Sequence, residues 1–368
     1  MTHRTRRVAV IGAGLSGLVA IKELLDEGHQ VDAFEAAGRE GGVFASTTGV
    51  SYDQMRLTVS QHFMAFSSMT PPPDEPRAFW TRERYLIYLR AFCERFDLLR
   101  HIRFETRVTA IQRLPDGTMR VCWSTGGPGE AETQGARIYD AVAICQGAFR
   151  ASAPRLPCIP GLADFPGRVT HSAAYVGPKP FAGQRVLVIG MGETAADVTS
   201  QIAAQAAHCW LTFRTYPELV ARFPYGHAHT TDAWSARINH WLPHARLTEF
   251  RAATDLDAAY GPLPDRHRLV EDWAVRSGGA RFLQKNDDFV PQVLSGEIDV
   301  APGGVERIEG GVVHLADGRK VEPDDIVLCT GYRESSIPAE WLDGVQVDGF
   351  ILTVAGDLLQ HRDQQLEV

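Results

Sequence analysis

Paired cysteines are missing from this chain. It has six, Cys93, Cys122, Cys145, Cys158, Cys209 and Cys329, and no two stand in a CxxC or other close pair. That spacing offers neither a dithiol redox centre nor a cysteine-based zinc site, and most of the six read as small core residues in a reducing compartment. Long apolar runs are missing too. No stretch is long enough to cross a bilayer, and the charged MTHRTRR start leads straight into a short strand with no signal-peptide stretch. The expectation is a cytoplasmic protein with no membrane partner. Positive charge is not in excess, since the formal net charge is −8. A general nucleic-acid binder shows net positive charge or a dense basic stripe, so no nucleic acid is expected as partner. Arg4, Arg6 and Arg7 read as a solvated start. The 368 residues suit two domains, or one large and one inserted.

What the chain does have is two glycine-rich units. The first is RRVAVIGAGLSGLVAIKELLDEGHQVDAFEAAGREGGVF. Val8 to Ile11 predicts a short strand, Leu15 to about Leu25 a helix ended by Gly28, and Val31 to Phe34 a second strand. Gly12, Gly14 and Gly17 lie between the first strand and the helix at GxGxxG spacing. Gly12 permits the tight turn, Gly14 lets the backbone approach a pyrophosphate, and Gly17 lets helix and strand pack closely. The helix N-terminus turns free N–H groups and a positive dipole end toward the phosphates. Glu35 closes the second strand 23 residues after Gly12, where a carboxylate accepts hydrogen bonds from a ribose 2′-hydroxyl.

The second unit is QRVLVIGMGETAADVTSQIAAQAAHCWLTFRT. Val186 to Ile189 predicts a strand, a helix runs to about Ala206, and Trp210 to Phe213 forms the next strand. Gly190 and Gly192 take the first two glycine places, and Ala195 takes the third, where small size is all that packing needs. Glu193 and Thr194 open the helix and are expected, with Gly190 and Gly192, at the cofactor. Arg214 stands at the strand end, 24 residues after Gly190. An acid there repels a 2′-phosphate; an arginine attracts one and grips it with two parallel bonds. The first site is therefore expected to hold FAD or NAD, and the second NADP. The plain alternative for Arg214 is a solvated strand-end charge.

Asp140 to Gly147 and Asp324 to Gly331 share an Asp–x4–Cys–x–Gly spacing. Both read as buried parallel strands whose glycines admit a crossing chain or cofactor. One precedes the second unit and one follows it, which predicts one domain interrupted by another. The expected fold class is α/β, with two Rossmann-like dinucleotide-binding domains and the NADP domain inserted in the FAD domain. The expected division is residues 1–160 and 285–368 for FAD and 161–284 for NADP, with the return near Gln284.

Two dinucleotide sites in one chain resemble the flavoproteins that carry FAD and a reduced nicotinamide together. Pyridine nucleotide–disulfide reductases need a cysteine pair after the first unit, which is missing here. AAGREGGVF instead places Gly41, Gly42 and Phe44 six, seven and nine residues after Glu35, and looks like the flavin-containing monooxygenases. SYDQMRLTVSQHFMAFSSMTPPP is similar to that family's stretch beside the flavin. FPGRVTHSAAY fits its fingerprint FxGxxxHxxx(Y/F), with Phe165, Gly167, His171 and Tyr175 in place, and Thr330, Gly331 and Tyr332 match its TGY. NDDFVPQVLSGEIDV also has the family look. The resemblance covers nearly the whole chain and points to the group B flavin monooxygenases.

What the resemblance implies is a reaction with a small-molecule substrate and O2. NADPH reduces FAD, the reduced flavin forms a C4a-hydroperoxide with O2, and its distal oxygen passes to a soft nucleophile. The protein binds, orients and excludes water. No acid–base triad is needed, and none is recognisable. Gly42, Phe44, Gly147 and the TGY would attend the flavin, and Arg222 resembles a family arginine near the 2′-phosphate. Tyr175, where Baeyer–Villiger relatives usually have tryptophan, favours N- or S-oxygenation. Gly167 and His171 read as holding the hinge between the two cofactors.

The chain departs from the pattern at two places. LTVSQ puts Thr58 where an asparagine is expected beside the flavin, with Ser60 and Gln61 as substitutes or as plain loop residues. The chain also finishes soon after the TGY, in the polar GDLLQHRDQQLEV, where relatives continue. These leave room for a Baeyer–Villiger enzyme or an uncoupled NADPH oxidase. A regulatory protein on a degraded scaffold is a third class. His227, His229, His240 and His244 lie among Trp234 and Trp241 with no acid or cysteine to complete a set, and read as mixed surface rather than a metal site. His62 is either a satisfied loop histidine or a neighbour of substrate. Oligomeric state is open, with a homodimer one option.

Overall fold

The computed structural model describes residues 4–45, 50–72, 74–76, 78–126, 133–147, 149–223, 230–232, 283–334, 337–338 and 341, and the backbone of 351–354 and 357–360. His227, His229, Trp234, His240, Trp241 and His244 lie outside them, as does most of the C-terminal run.

The first unit forms as its pattern predicts. β1 (Arg7–Ile11), α1 (Leu15–Asp26) and β2 (Gln30–Phe34) are followed by a short helical turn α2 (Gln61–Met64), then α3 (Arg82–Arg95) and β3 (Ile102–Arg103). A meander of β4 (Thr106–Arg113), β5 (Met119–Thr125) and β6 (Thr133–Tyr139) leads into β7 (Ala141–Ile144). The parallel sheet runs β3-β2-β1-β7. Side chains alternate across it, as a strand period of two requires. Val10 and Ala33 face α1 and the Tyr85, Tyr88 and Phe92 cluster of α3. Ala9, Ile11 and Phe34 face the meander at Val108, Ile111, Val121 and Tyr139.

β8 (Phe149–Pro154) carries the chain out. The second unit then repeats the first. Its strands include β9 (Arg168–His171), β10 (Arg185–Ile189) and β11 (His208–Phe213), with α4 (Glu193–Ala203) between the last two. After β12 (Glu218–Val220) and β13 (Leu283–Lys285), which pair in parallel, come α5 (Phe289–Ser295) and β14 (Ile298–Pro302). A second meander follows, β15 (Val305–Glu309), β16 (Val312–Leu315) and β17 (Lys320–Val321), then β18 (Asp325–Leu328). The parallel sheet runs β14-β11-β10-β18-β9. Val186 and Val188 pack toward α4 and α5. Leu187 and Ile189 pack toward the second meander.

This arrangement corrects the expected return near Gln284. β14 and β18 are hydrogen-bonded to β11 and β10, so residues 298–328 belong to the second sheet. The chain comes back at β19 (Tyr332–Glu334), which pairs antiparallel with β8. The physical reason lies in the Asp–x4–Cys–x–Gly repeat. Each copy closes its own unit: β7 pairs with β1, and β18 with β10. Asp140 accepts from the Arg7 N–H at 2.7 Å, and Asp324 from the Arg185 N–H at 2.9 Å. Each aspartate thus satisfies the first N–H of its unit's leading strand. Among the described residues no helix is long and apolar enough to cross a membrane.

Candidate active site

The first phosphate loop is held by backbone approach that leaves no room for side chains. A Cβ on Gly12 would lie 2.5 Å from the Cys145 carbonyl oxygen, and one on Gly17 would lie 1.9 Å from that of Gly12. Gly14 starts α1 with no side chain capping it. The Gly41–Gly42 turn rests on this loop. The Gly41 N–H donates to the Ala13 carbonyl at 3.0 Å, and a Cβ on Gly42 would lie 2.9 Å from the Gly14 Cα. Glu35 accepts from the Ala13 N–H at 2.7 Å and the Ala37 N–H at 2.8 Å, one on each carboxylate oxygen. Each oxygen keeps a second lone pair for a ribose hydroxyl. The uncapped helix start, the side-chain-free loop and the placed acid fit FAD.

The second loop has the same build. Gly190 has φ +122°, and a Cβ there would lie 2.3 Å from the Cys329 carbonyl oxygen. Gly192 starts α4 with no side-chain cap and open space beside it. Ala195 is fully buried, so the third place tolerates its methyl. Arg214 is exposed at the end of β11, lies along Gly304, and has no carboxylate partner among the described residues. An unpaired, always-charged fork at that position fits a 2′-phosphate. Gly147 and Gly331, just past β7 and β18, have φ of +78° and +81° and open space on the side a Cβ would take.

Between the units lies a cleft of about 200 Å³. Phe44, Tyr52, Met55, Arg56, Leu57, Thr58, Val59 and Met64 line it from the first unit, and Glu193, Thr194, Asp197 and Arg222 from the second. Thr58 is therefore at the wall. Ser60 and Gln61 are fully buried behind it. Gln61 spends its amide on the Pro76 carbonyl and the Ala78 N–H, and the Ser60 N–H donates to Asp232 at 2.5 Å, so both hold loops. His62 is exposed on α2. Arg222 does not share the exposed position of Arg214; it is 3% exposed and lines the cleft.

The fingerprint residues sit one layer behind. A Cβ on Gly167 would lie 2.1 Å from the Asp324 carbonyl oxygen, which brings β9 against β18. Phe165 joins the second-meander core. His171 accepts from the Ala173 N–H at 3.0 Å and its ring stands edge-on to Tyr332 at 5.5 Å. Burial lowers its pKa, which favours the neutral imidazole that accepts this bond. Thr330 donates to the Arg155 carbonyl, so the TGY is tied to the outgoing linker. Tyr175 is 2% exposed, donates to Gln201 at 3.0 Å, and packs edge-on against Tyr52 at 5.4 Å.

Sequence reasoning singled out Glu193 at the start of α4 but missed the polar stripe that continues from it. Glu193, Asp197 and Gln201 recur at i, i+4 and i+8 on one face, a spacing that was readable. Asp197 accepts from the Tyr52 hydroxyl, across the two units, and from Gln201 at 3.4 Å. Burial raises the carboxyl of Asp197. It also raises Glu193 to about 7, against the lowering effect of Lys285 and Arg222.

A family model described as flavin-binding monooxygenase-like matches residues 5–339. The chain is 36% identical over 339 residues to 4-hydroxybenzoate brominase (decarboxylating) of Pseudoalteromonas luteoviolacea, covering 90% of this chain and 63% of that one. It is 29% identical over 346 residues to dimethylaniline monooxygenase [N-oxide-forming] 2 of Rattus norvegicus, covering 90% and 62%. The solved structure of S-allyl-L-cysteine S-oxygenase from Allium sativum shares the fold, with TM-score 0.59 and 24% identity over 90% of this chain and 64% of that one. The chain thus spans less than two thirds of the length of these relatives. FAD and NADPH are the family's cofactors, and the acid-ended and arginine-ended loops are compatible with that pair. The family match along nearly the whole chain, on a fold with two dinucleotide-type loops, makes this a member of the flavin-binding monooxygenase-like family.

Proposed function

We propose that the protein is an NADPH- and O2-dependent FAD monooxygenase that oxygenates a soft nucleophile, an amine nitrogen or a sulfur. The observation that carries this reading is the shared cleft: the flavin-side residues Phe44 and Thr58 face the α4 start, Glu193 and Thr194, across one small space. Bound FAD supplies the redox chemistry, taking a hydride from NADPH and activating O2. One oxygen atom enters the substrate and the other leaves as water. The chain's own residues bind and shield. Gly12, Gly14, Gly17 and Glu35 hold the flavin dinucleotide, and Gly190, Gly192 and Arg214 hold the nicotinamide one. Phe44, Met55, Leu57, Val59 and Met64 keep water from the reacting atoms. Thr58 offers a hydroxyl to the cleft in place of an amide.

A second reading is oxidation of a phenolic acid. It is favoured by the cations Arg56 and Arg222 in the cleft wall and by the likeness to a 4-hydroxybenzoate brominase. The test is the visible spectrum of the purified protein, followed by anaerobic NADPH and then air. A yellow protein that bleaches with NADPH and reoxidises slowly through a long-lived intermediate supports the monooxygenase. Immediate reoxidation with stoichiometric peroxide indicates an oxidase, and no flavin uptake from supplied FAD refutes both. Dimethylaniline, a thioether, cyclohexanone and 4-hydroxybenzoate with bromide then separate the oxygen acceptors by product.

A further inference from the structure

Arg222 is a buried cation in the cleft wall, apart from the exposed Arg214 at the end of β11. A guanidinium has five donors and keeps its charge at all ordinary pH values. Among the described residues its nearest carboxylate oxygen, Asp287 Oδ2, is 3.7 Å from an Nη, too far for a hydrogen bond. The other Asp287 oxygen accepts the backbone N–H of Arg222 at 2.9 Å. The Phe79 ring lies 5.9 Å from the guanidinium carbon, and Nε has no hydrogen-bond partner among the described residues. Glu193 and Asp197 share the cleft wall with it from α4, but Asp197 is engaged by Tyr52 and Gln201, and burial favours the neutral form of Glu193. A buried charge left this thinly paired is costly unless a ligand completes it.

The rest of the wall states what kind of ligand that is. Phe44, Tyr52, Met55, Leu57, Val59 and Met64 present apolar surface. Arg214 stands where a 2′-phosphate is read, and the uncapped start of α4 is the place for a pyrophosphate. We propose that Arg222 is the receptor for the carboxylate of an otherwise apolar or aromatic substrate. This rests on the cleft being the site of the proposed oxygenation, and it narrows the acceptor to an organic acid.

The probes are benzoate and its neutral isostere benzamide, titrated calorimetrically into protein loaded with FAD and saturated with NADP+. Benzoate is expected to bind at least about tenfold tighter than benzamide, because a site built for a charged partner rejects the isostere lacking it. Arg222→Gln is expected to weaken benzoate by about thirtyfold or more, the usual effect of truncating one partner of a buried charged pair. Benzamide binding is expected to stay within about threefold, since a neutral amide does not need that charge, and NADP+ binding is expected to fall by clearly less than benzoate binding. Arg222→Lys keeps the charge without the fork. It is expected to lose about threefold to tenfold, so the result stands if the glutamine variant melts early. Equal affinity for the two probes, or no binding of either by the wild type, overturns the proposal. So does a loss of NADP+ affinity as large as the loss of benzoate affinity, which assigns Arg222 to the cofactor's phosphates. The flavin spectrum and its bleaching by NADPH in the same samples report separately on the oxygenase reading.

Discussion

Tyr52→Phe removes one oxygen atom and, with it, the hydrogen bond that joins the flavin-side loop to α4. The ring should stay, because Tyr52 is 4% exposed and packed edge-on against Tyr175, which is itself stacked on Phe181 at 6.0 Å. What changes is Asp197. It loses the Tyr52 donor and keeps only Gln201 at 3.4 Å, near the limit of a useful bond. A hydrogen bond to a charged group contributes about 1.5–3 kcal/mol, and little is recovered from water at this mostly buried carboxyl. The loss should therefore approach that range. Because burial raises the Asp197 carboxyl and the Tyr52 hydroxyl lowers it, Tyr52→Phe pushes it up further. The fold then favours the protonated acid more strongly, so stability present below the ordinary carboxyl range is lost more steeply as pH rises. The cost of the substitution should grow as pH rises from below the ordinary carboxyl range through the raised Asp197 value. Urea unfolding of the FAD- and NADP+-loaded protein measures it, followed by flavin release, for Tyr52→Phe, Asp197→Asn and the double variant. Coupling of about 1 kcal/mol or more is expected between the two sites. Additivity within about 0.5 kcal/mol, or a cost that does not change with pH, would refute the reasoning.

The remaining predictions concern single positions. Arg214→Ala should raise the Michaelis constant for NADPH by about ten- to a hundredfold, the value of a charge-assisted bidentate contact, and leave that for NADH within about twofold; equal effects remove its assigned role. Glu193, held near 7 by burial, is favoured protonated in the fold, so its contribution is full below the ordinary carboxyl value of 4.5 and is lost as pH rises through about 7. Glu193→Gln should therefore gain on the wild type between pH 5 and pH 8 by on the order of 2–3 kcal/mol in urea unfolding, and an unchanged difference sinks the prediction. Gly17→Ala sets a methyl 1.9 Å from a carbonyl oxygen, backbone against backbone. It should cost about 3 kcal/mol or more and strip FAD during gel filtration, read as the flavin-to-protein absorbance ratio.

Local pattern carried the two nucleotide units nearly to the residue. The helix expected from Leu15 to about Leu25 runs Leu15–Asp26, because Gly28 with φ +78° supplies a stop. The second helix ends at Ala203 rather than near Ala206. Its alanine-rich tail has high helix propensity and no stop signal, so propensity alone overruns. The domain return was misplaced for a different reason. β14 finds its partner across the 85 residues separating Phe213 from Ile298, and β18 lies between two strands from much earlier in the chain. Nothing local distinguishes a strand that rejoins the first sheet from one that completes the second. The repeated Asp–x4–Cys–x–Gly did carry the answer. Asp140 and Asp324 do the same task in their own units, which makes them equivalent elements and not two halves of one domain.

The cleft was less legible because no single stretch makes it. Its walls come from residues 44, 52–59 and 64 on one side and 193–222 on the other, and docking alone decides which of them meet. FPGRVTHSAAY shows how a recognisable stretch can lie beside the chemistry without touching it. Gly167 makes room for the Asp324 carbonyl, His171 pairs in register with Leu328, and its ring meets Tyr332. These contacts all seat the edge strand β9 on the segment from Asp324 to Tyr332. Tyr175 alone reaches toward the cleft, and it does so through Tyr52 and Gln201, both bonded to Asp197. Since Tyr175 is buried and absent from the cleft wall, tyrosine against tryptophan at this position is a difference in packing and in one hydroxyl donor. Any effect of Tyr175 on the cleft is therefore indirect, through the position of Tyr52 on the wall, whereas Thr58, Glu193 and Arg222 stand on that wall themselves; under the proposed oxygenation they are the nearer candidates for choosing the acceptor.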